Sequence, residues 1–139
     1  MKPKYEVVEH TADVAVKVTA DTAAELLANA AGGMFDLIGD IESIRPHVRR
    51  SVEIDADDYE ELMVNWLTEL LFRFETERLL LCEFDIEEID SRHLRATVGG
   101  EEYDPRRHEL QTDIKAVTYS GLHVEHSDDE WTATVVFDI

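Results

Sequence analysis

The sequence is short of cysteine, proline and lysine together, with one, three and four respectively in 139 residues. A lone Cys82 excludes an internal disulfide and points to a reducing compartment. It sits in Leu79-Leu-Leu-Cys-Glu-Phe-Asp-Ile86, on one strand face with Leu80, Phe84 and Ile86, where a small buried hydrophobe is expected rather than a nucleophile. No apolar run approaches the ~20 residues of a membrane span, and the opening Met1-Lys-Pro-Lys-Tyr-Glu6 carries no hydrophobic signal segment. A cytoplasmic protein without membrane contact is the expectation. Familiar catalytic signatures are missing too: no Gly-rich phosphate loop, no His-Glu-x-x-His, no paired cysteines, no Gly-x-Ser-x-Gly and no EF-hand loop.

What is plentiful is carboxylate. Asp and Glu number 32 against 13 Lys and Arg, a net charge of −19, yet 44% of residues are apolar. That apolar share supports a packed core despite the charge. Tight RNA or DNA binding rests on Lys and Arg displacing counterions, so direct nucleic-acid binding is disfavoured, and a basic protein or a cation is the easier partner. An acid-rich, lysine-poor surface is also one way to remain soluble in concentrated salt, where counterions screen self-repulsion.

The length suits one domain spanning 1–139, with no linker, repeat or low-complexity tract. Val14, Val16 and Val18 alternate with Ala15, Lys17 and Thr19, the period of a half-buried strand, and Tyr5 to Val8 is its expected hairpin partner. Thr22-Ala-Ala-Glu25 reads as a capping box opening a helix that ends near Gly39. Val48 to Ile54 is a strand, and Asp57 with Glu60 repeats the capping logic for a second helix reaching about Glu75. Its stripe of Met63, Trp66, Leu67, Leu70, Leu71 and Phe74 is core-sized. Leu79 to Ile89 and Leu94 to Val98 form two strands, with Gly99-Gly100 as a break. Two long strands, about 111–126 and 131–138, enclose the turn at Ser127-Asp-Asp-Glu130. The pattern predicts an α+β domain, a mostly antiparallel sheet with two helices packed against it.

Gly32-Gly33 falls inside the first helix and reads as close packing. His123 and His126, three apart on a strand, point to opposite faces and cannot chelate one metal together. They are expected in solvent or at an edge, as are His47, His93 and His108. Three segments place polar groups in apolar surroundings: Asp13 at the mouth of the valine-rich strand, Lys115 inside the strand 111–126, and the end of the chain. Asp13 alone is as suited to capping a turn as to binding. A buried Lys115 requires an acceptor, in a structural ion pair or a site. Asp138 and the Ile139 α-carboxylate are either a harmlessly frayed end or, if pinned in a sheet, hard oxygen ligands that one further Asp completes into a small divalent-cation site.

At these segments the chain resembles the archease family, small acidic activators of the tRNA-splicing RNA ligase that joins 3′-phosphate to 5′-hydroxyl ends. The similarity is carried by His10-Thr-Ala-Asp-Val-Ala15, Met34-Phe-Asp-Leu-Ile-Gly-Asp40, Leu62-Met-Val-Asn-Trp-Leu-Thr-Glu-Leu-Leu-Phe72, Asp113-Ile-Lys-Ala-Val-Thr-Tyr119 and the terminal Phe137-Asp-Ile139. The resemblance implies a divalent-metal site, calcium-binding in the family, built from Asp13, Asp138 and the terminal carboxylate of Ile139. Asp40 matches an acidic residue of relatives and is a weaker site candidate, while Lys115 matches a lysine important to family activity. Relatives usually read Thr-Tyr-His where this chain has Thr118-Tyr-Ser120, so a role attached to that histidine does not transfer. The function implied is that of a protein cofactor, not an enzyme, which promotes guanylylation and multiple turnover of the ligase. The alternative is a free-standing metal-dependent hydrolase using Asp13, Asp40 and Asp138, with His10 as base; a third reading is a chaperone-like module using its apolar helix stripe.

Overall fold

The computed structural model describes residues 3–9 and 13–139. Seven antiparallel strands fall into two sheets among these residues. One runs β1 (Tyr5–Glu9), β2 (Asp13–Ala20), β7 (Glu130–Asp138), β6 (Ala116–Ser127) from edge to edge; the other runs β3 (Val48–Asp55), β5 (His93–Glu102), β4 (Leu79–Ile89). Helices α1 (Ala23–Gly39) and α2 (Tyr59–Glu77) each pack against strands of both sheets, so the expected α+β arrangement holds with its sheet divided in two.

Thr22 opens α1 with its hydroxyl accepting the Glu25 N–H at 3.1 Å. Asp58, one residue beyond the expected Asp57, opens α2 by accepting from Glu61 N–H at 2.8 Å. Leu26, Leu27, Met34, Phe35 and Ile38 of α1 meet Met63, Trp66, Leu67 and Leu70 of α2 in one core. The buried Trp66 indole donates to Leu27 C=O at 2.9 Å, which satisfies its polar atom while the ring fills the space between helices. Emptying that volume with Trp66→Ala costs on the order of 4 kcal/mol.

Glycine does two different jobs here. Gly32 and Gly33 let the N-terminal segment lie on α1: a Cβ at Gly32 meets Pro3 Cβ at 2.8 Å, and one at Gly33 meets Tyr5 at 3.3 Å. This is the close packing the sequence suggests. Gly99-Gly100, expected to break the chain, instead lies inside β5. A Cβ at Gly100 would fall 1.8 Å from Leu80 C=O, so β4 crosses too close for any side chain, beside the register shift between Leu81 and Glu83.

The last strand pair also starts later than the alternation suggests. Residues 111–115 are not strand: Gln111 and Thr112 donate their N–H groups to the Ile38 and Leu37 carbonyls, satisfying the open end of α1 instead of a sheet neighbour. β6 begins at Ala116 and returns through a two-residue turn in which Asp128 takes the left-handed conformation, φ 55°.

Candidate functional site

β2 and β7 are paired so that Asp13 stands directly opposite Asp138, followed by Val14 opposite Phe137 and Ala15 opposite Val136. Side chains directly opposed on one face lie about 5 Å apart at Cβ, within reach of one cation. The alternation explains how the row arises. Ala133, Val135 and Phe137 turn into the core, which leaves Asp138 on the other face at the strand's last position. The end is pinned on its second side too, because β6 pairs Ala116 with Asp138, and Lys115 N–H donates to Asp138 C=O at 2.8 Å. A frayed terminus is therefore not what the strand shows through Asp138.

Lys115 departs from expectation. Its side chain is exposed and precedes β6 rather than lying buried inside a strand. The reason is the diversion of 111–115 to α1, which buries Ile114 and turns its neighbour outward. Lys115 thus reaches the Asp13–Asp138 row through its backbone and keeps its ammonium in solvent. Asp40 caps the short 3-10 turn Ile41–Ser43, accepting from Glu42 N–H at 3.3 Å with a positive φ of 44°. Among the described residues no three Asp, Glu, His or Cys side chains gather as a cation site, so Asp40 is not brought into one with Asp13 and Asp138. His10, the base of the hydrolase alternative, lies outside the described residues.

The other singled-out groups are placed as follows. Cys82 is half-buried, and burial foremost, with Glu83 and Glu101 beside it, pushes its thiol up to about 11. It is a protonated thiol at neutral pH and no nucleophile. His123 contacts Glu125 at 2.9 Å, whereas His126 stacks on Trp131 with centroids 4.2 Å apart.

His108 overturns its expectation as a solvent histidine, being 3% exposed. Its Nδ1 accepts the Asp104 N–H at 2.9 Å, which directs the Nε2 proton to Glu101 at 3.0 Å. Glu101 also accepts from Arg45 N–H at 2.6 Å and Arg107 at 2.7 Å, and Arg107 reaches Ser43 C=O at 3.1 Å. Burial alone would raise the Glu101 carboxyl; the Arg45 N–H, His108 and Arg107 outweigh it and hold it below the usual carboxylate range. A buried carboxylate, Asp36, accepts the Tyr5 hydroxyl at 2.5 Å and the Ile41 N–H at 3.0 Å. Burial and that bond push the Tyr5 phenol up. Both clusters join residues dozens of positions apart, and no local pattern marks them.

An α+β protein of two antiparallel sheets joined by two helices, with a carboxylate row at the end of its central ladder, defines the class. Residues 5–139 match the Archease protein family (MTH1598/TM1083), and the chain belongs to that family. It is 40% identical to the "Protein archease" of Methanopyrus kandleri, over 97% of this chain and 99% of that one. The Methanosarcina mazei archease is also 40% identical, with 98% and 96% covered. The solution structure of Methanobacterium thermoautotrophicum protein 1598 superposes with a TM-score of 0.82 at 33% identity, each chain covered completely. A Thermotoga maritima archease described as a possible chaperone shares the fold, with a TM-score of 0.67 at 21% identity over 95% and 94% of the chains.

Proposed function

We propose that this chain is an accessory protein of the RNA ligase that joins 3′-phosphate to 5′-hydroxyl ends in tRNA splicing, and that it promotes ligase guanylylation and multiple turnover without ligating RNA itself. The observation that carries the reading is the Asp13–Asp138 register, fixed on both sides by β2 and by the Lys115–Asp138 backbone bond. The partner is inferred from the family resemblance carried by the five sequence segments. The charge supports a protein route into an RNA pathway, because −19 repels phosphate backbones and attracts a basic rim.

The donor set suits a hard divalent cation, with calcium the fitting choice: carboxylate oxygens only, with Asp138 open to further water ligands and Asp13 half-buried opposite it. Asp13, Asp138 and the Ile139 α-carboxylate would hold it. When bound, the cation supplies positive charge and oxygen coordination at the surface that meets the ligase. The chain's own part is to present the two side chains side by side and to pin Asp138 through the Lys115 backbone N–H, which leaves the Lys115 ammonium in solvent for the partner. No membrane is implied; no helix among the described residues is long and apolar enough to cross one. Cytoplasmic action follows from this reading.

Adding one residue after Ile139 converts the α-carboxylate to a peptide carbonyl. Calcium affinity, read by calorimetry, should then fall at least tenfold and ligase stimulation should be lost. Undiminished stimulation by the extended chain removes the proposed role of the terminus.

A further inference from the structure

Asn65, Glu69 and Phe72 lie at i, i+4 and i+7 on α2, one face running beside β3. β3 is an edge strand. Asn65 donates to Asp55 C=O at 3.0 Å and Arg73 to Ser51 C=O at 3.4 Å, so the outward carbonyls of this edge are turned toward the helix. The period of two points the backbone of Glu53 the same way, between them. Helix and strand enclose a groove of about 360 Å³ with Ile54 in its wall.

Phe72 stands in this groove 57% exposed, and among the described residues no other large all-hydrocarbon side chain is as open to solvent. Glu53, Asp55 and Glu69 line the same groove. The basic side chains at hand are already engaged. Arg73 is held by Glu69 at 2.8 Å, His93 by Asp55 at 2.9 Å, and Arg95, opposite Glu53 in the ladder, lies 3.6 Å from Glu88. The groove therefore keeps more carboxylate than cation around an uncovered ring.

We propose that this groove docks an arginine-bearing apolar segment of a protein partner. A planar guanidinium stacks on the Phe72 ring while its donors face the carboxylates, and the apolar neighbour covers Ile54. The same carboxylates repel nucleic acid, which selects protein over RNA as the occupant. The inference rests on the reading that the chain works through a protein, the ligase, and names a second contact surface for it.

Two measurements test it. First, the ¹⁵N-labelled full chain is titrated with the capped peptide Arg-Leu-Arg and, as control, Glu-Leu-Glu. Shifts gathered at Glu53, Asn65, Glu69 and Phe72 with the basic peptide alone, and lost in Phe72→Ser, support the groove. Shifts elsewhere, or none, overturn it. Second, ligase affinity is compared for the natural chain and Phe72→Ser, whose exposed position leaves the melting temperature unchanged. A drop of tenfold or more is expected, and affinity within twofold overturns the assignment of this groove to the ligase. Failure of the natural chain to bind or stimulate the ligase removes the accessory reading instead, and the peptide map then decides the groove by itself.

Discussion

The molecule gathers carboxylates in two contrasting ways. At Glu101 a half-buried carboxylate is surrounded by donors from the Arg45 backbone, Arg107 and His108, and every contact serves the fold. At the end of the central ladder Asp13 and Asp138 face each other on the sheet's outer side, like charge against like charge, with Asp138 exposed to solvent. Like charges directly opposed destabilise a sheet pair. A fold that surrounds one acid with donors and sets two others directly opposite each other places its carboxylates in two different electrostatic settings. The opposed pair brings two negative charges to one end of the sheet, where a cation gains most.

The largest expected effect breaks the first member of that comparison. Glu101→Ala leaves the buried His108 and the more open Arg107 without their acceptor and releases Arg45, and should cost about 3 kcal/mol of stability by urea unfolding, or roughly 10 °C in Tm. Because His108 is buried, the part of the deficit that comes from its lost acceptor should persist in molar KCl. If Asp138→Ala costs as much as Glu101→Ala, the two regions do not differ in kind.

The two regions also differ in how far sequence reveals them. Alternation along Trp131–Ile139 shows which residues turn inward, and the family segments name Asp13, Asp138, Ile139, Asp40 and Lys115, all without tertiary contacts. What alternation cannot show is the partner of each strand, so the Asp13–Asp138 register emerges only from the pairing of strands separated by most of the chain. The Glu101 cluster is hidden more deeply. His108 looks like any polar-loop histidine until Glu101, which also accepts from Arg45, 56 residues before it, is folded against it. Lys115 misleads for the opposite reason: its local pattern reads as strand, but the unsatisfied carbonyls at the end of α1 compete for the backbone of 111–112 and win. Local signals locate elements and caps to within a residue or two, whereas backbone demands elsewhere settle where a strand starts.

A smaller effect sharpens the second member. Asp138→Asn removes one of two opposed charges, so without added metal the variant should be more stable than the natural chain by about 0.5 kcal/mol. Calcium should reverse the order, raising the Tm of the natural chain and leaving the variant unmoved. Equal calcium stabilisation of both chains refutes a cation held by Asp138. Salt acts on the whole surface rather than on this pair. With a net charge of −19, Tm should rise from dilute to molar KCl, and a flat or falling Tm sinks the idea of a surface suited to concentrated salt.

The smallest effect concerns a pair of opposite sign that is open to solvent at the end of the other sheet's ladder. His93 Nδ1 lies 2.9 Å from Asp55 at the end of the β3–β5 ladder. That bond first, then the charges of Asp55, Glu53 and Asp90, hold the imidazole above its ordinary value against the opposing pull of desolvation. A group whose pKa is raised on folding stabilises the fold in full below its unfolded value, about 6.5, and loses that contribution as pH rises through the folded value. His93→Gln should therefore lower Tm more at pH 5.5 than at pH 9, where the two chains should nearly coincide. Solvent screening keeps this gap well under that of Glu101→Ala. A His93→Gln deficit equal at both pH values would mean that the imidazole packs but does not pair, and the ladder end would then owe nothing to charge.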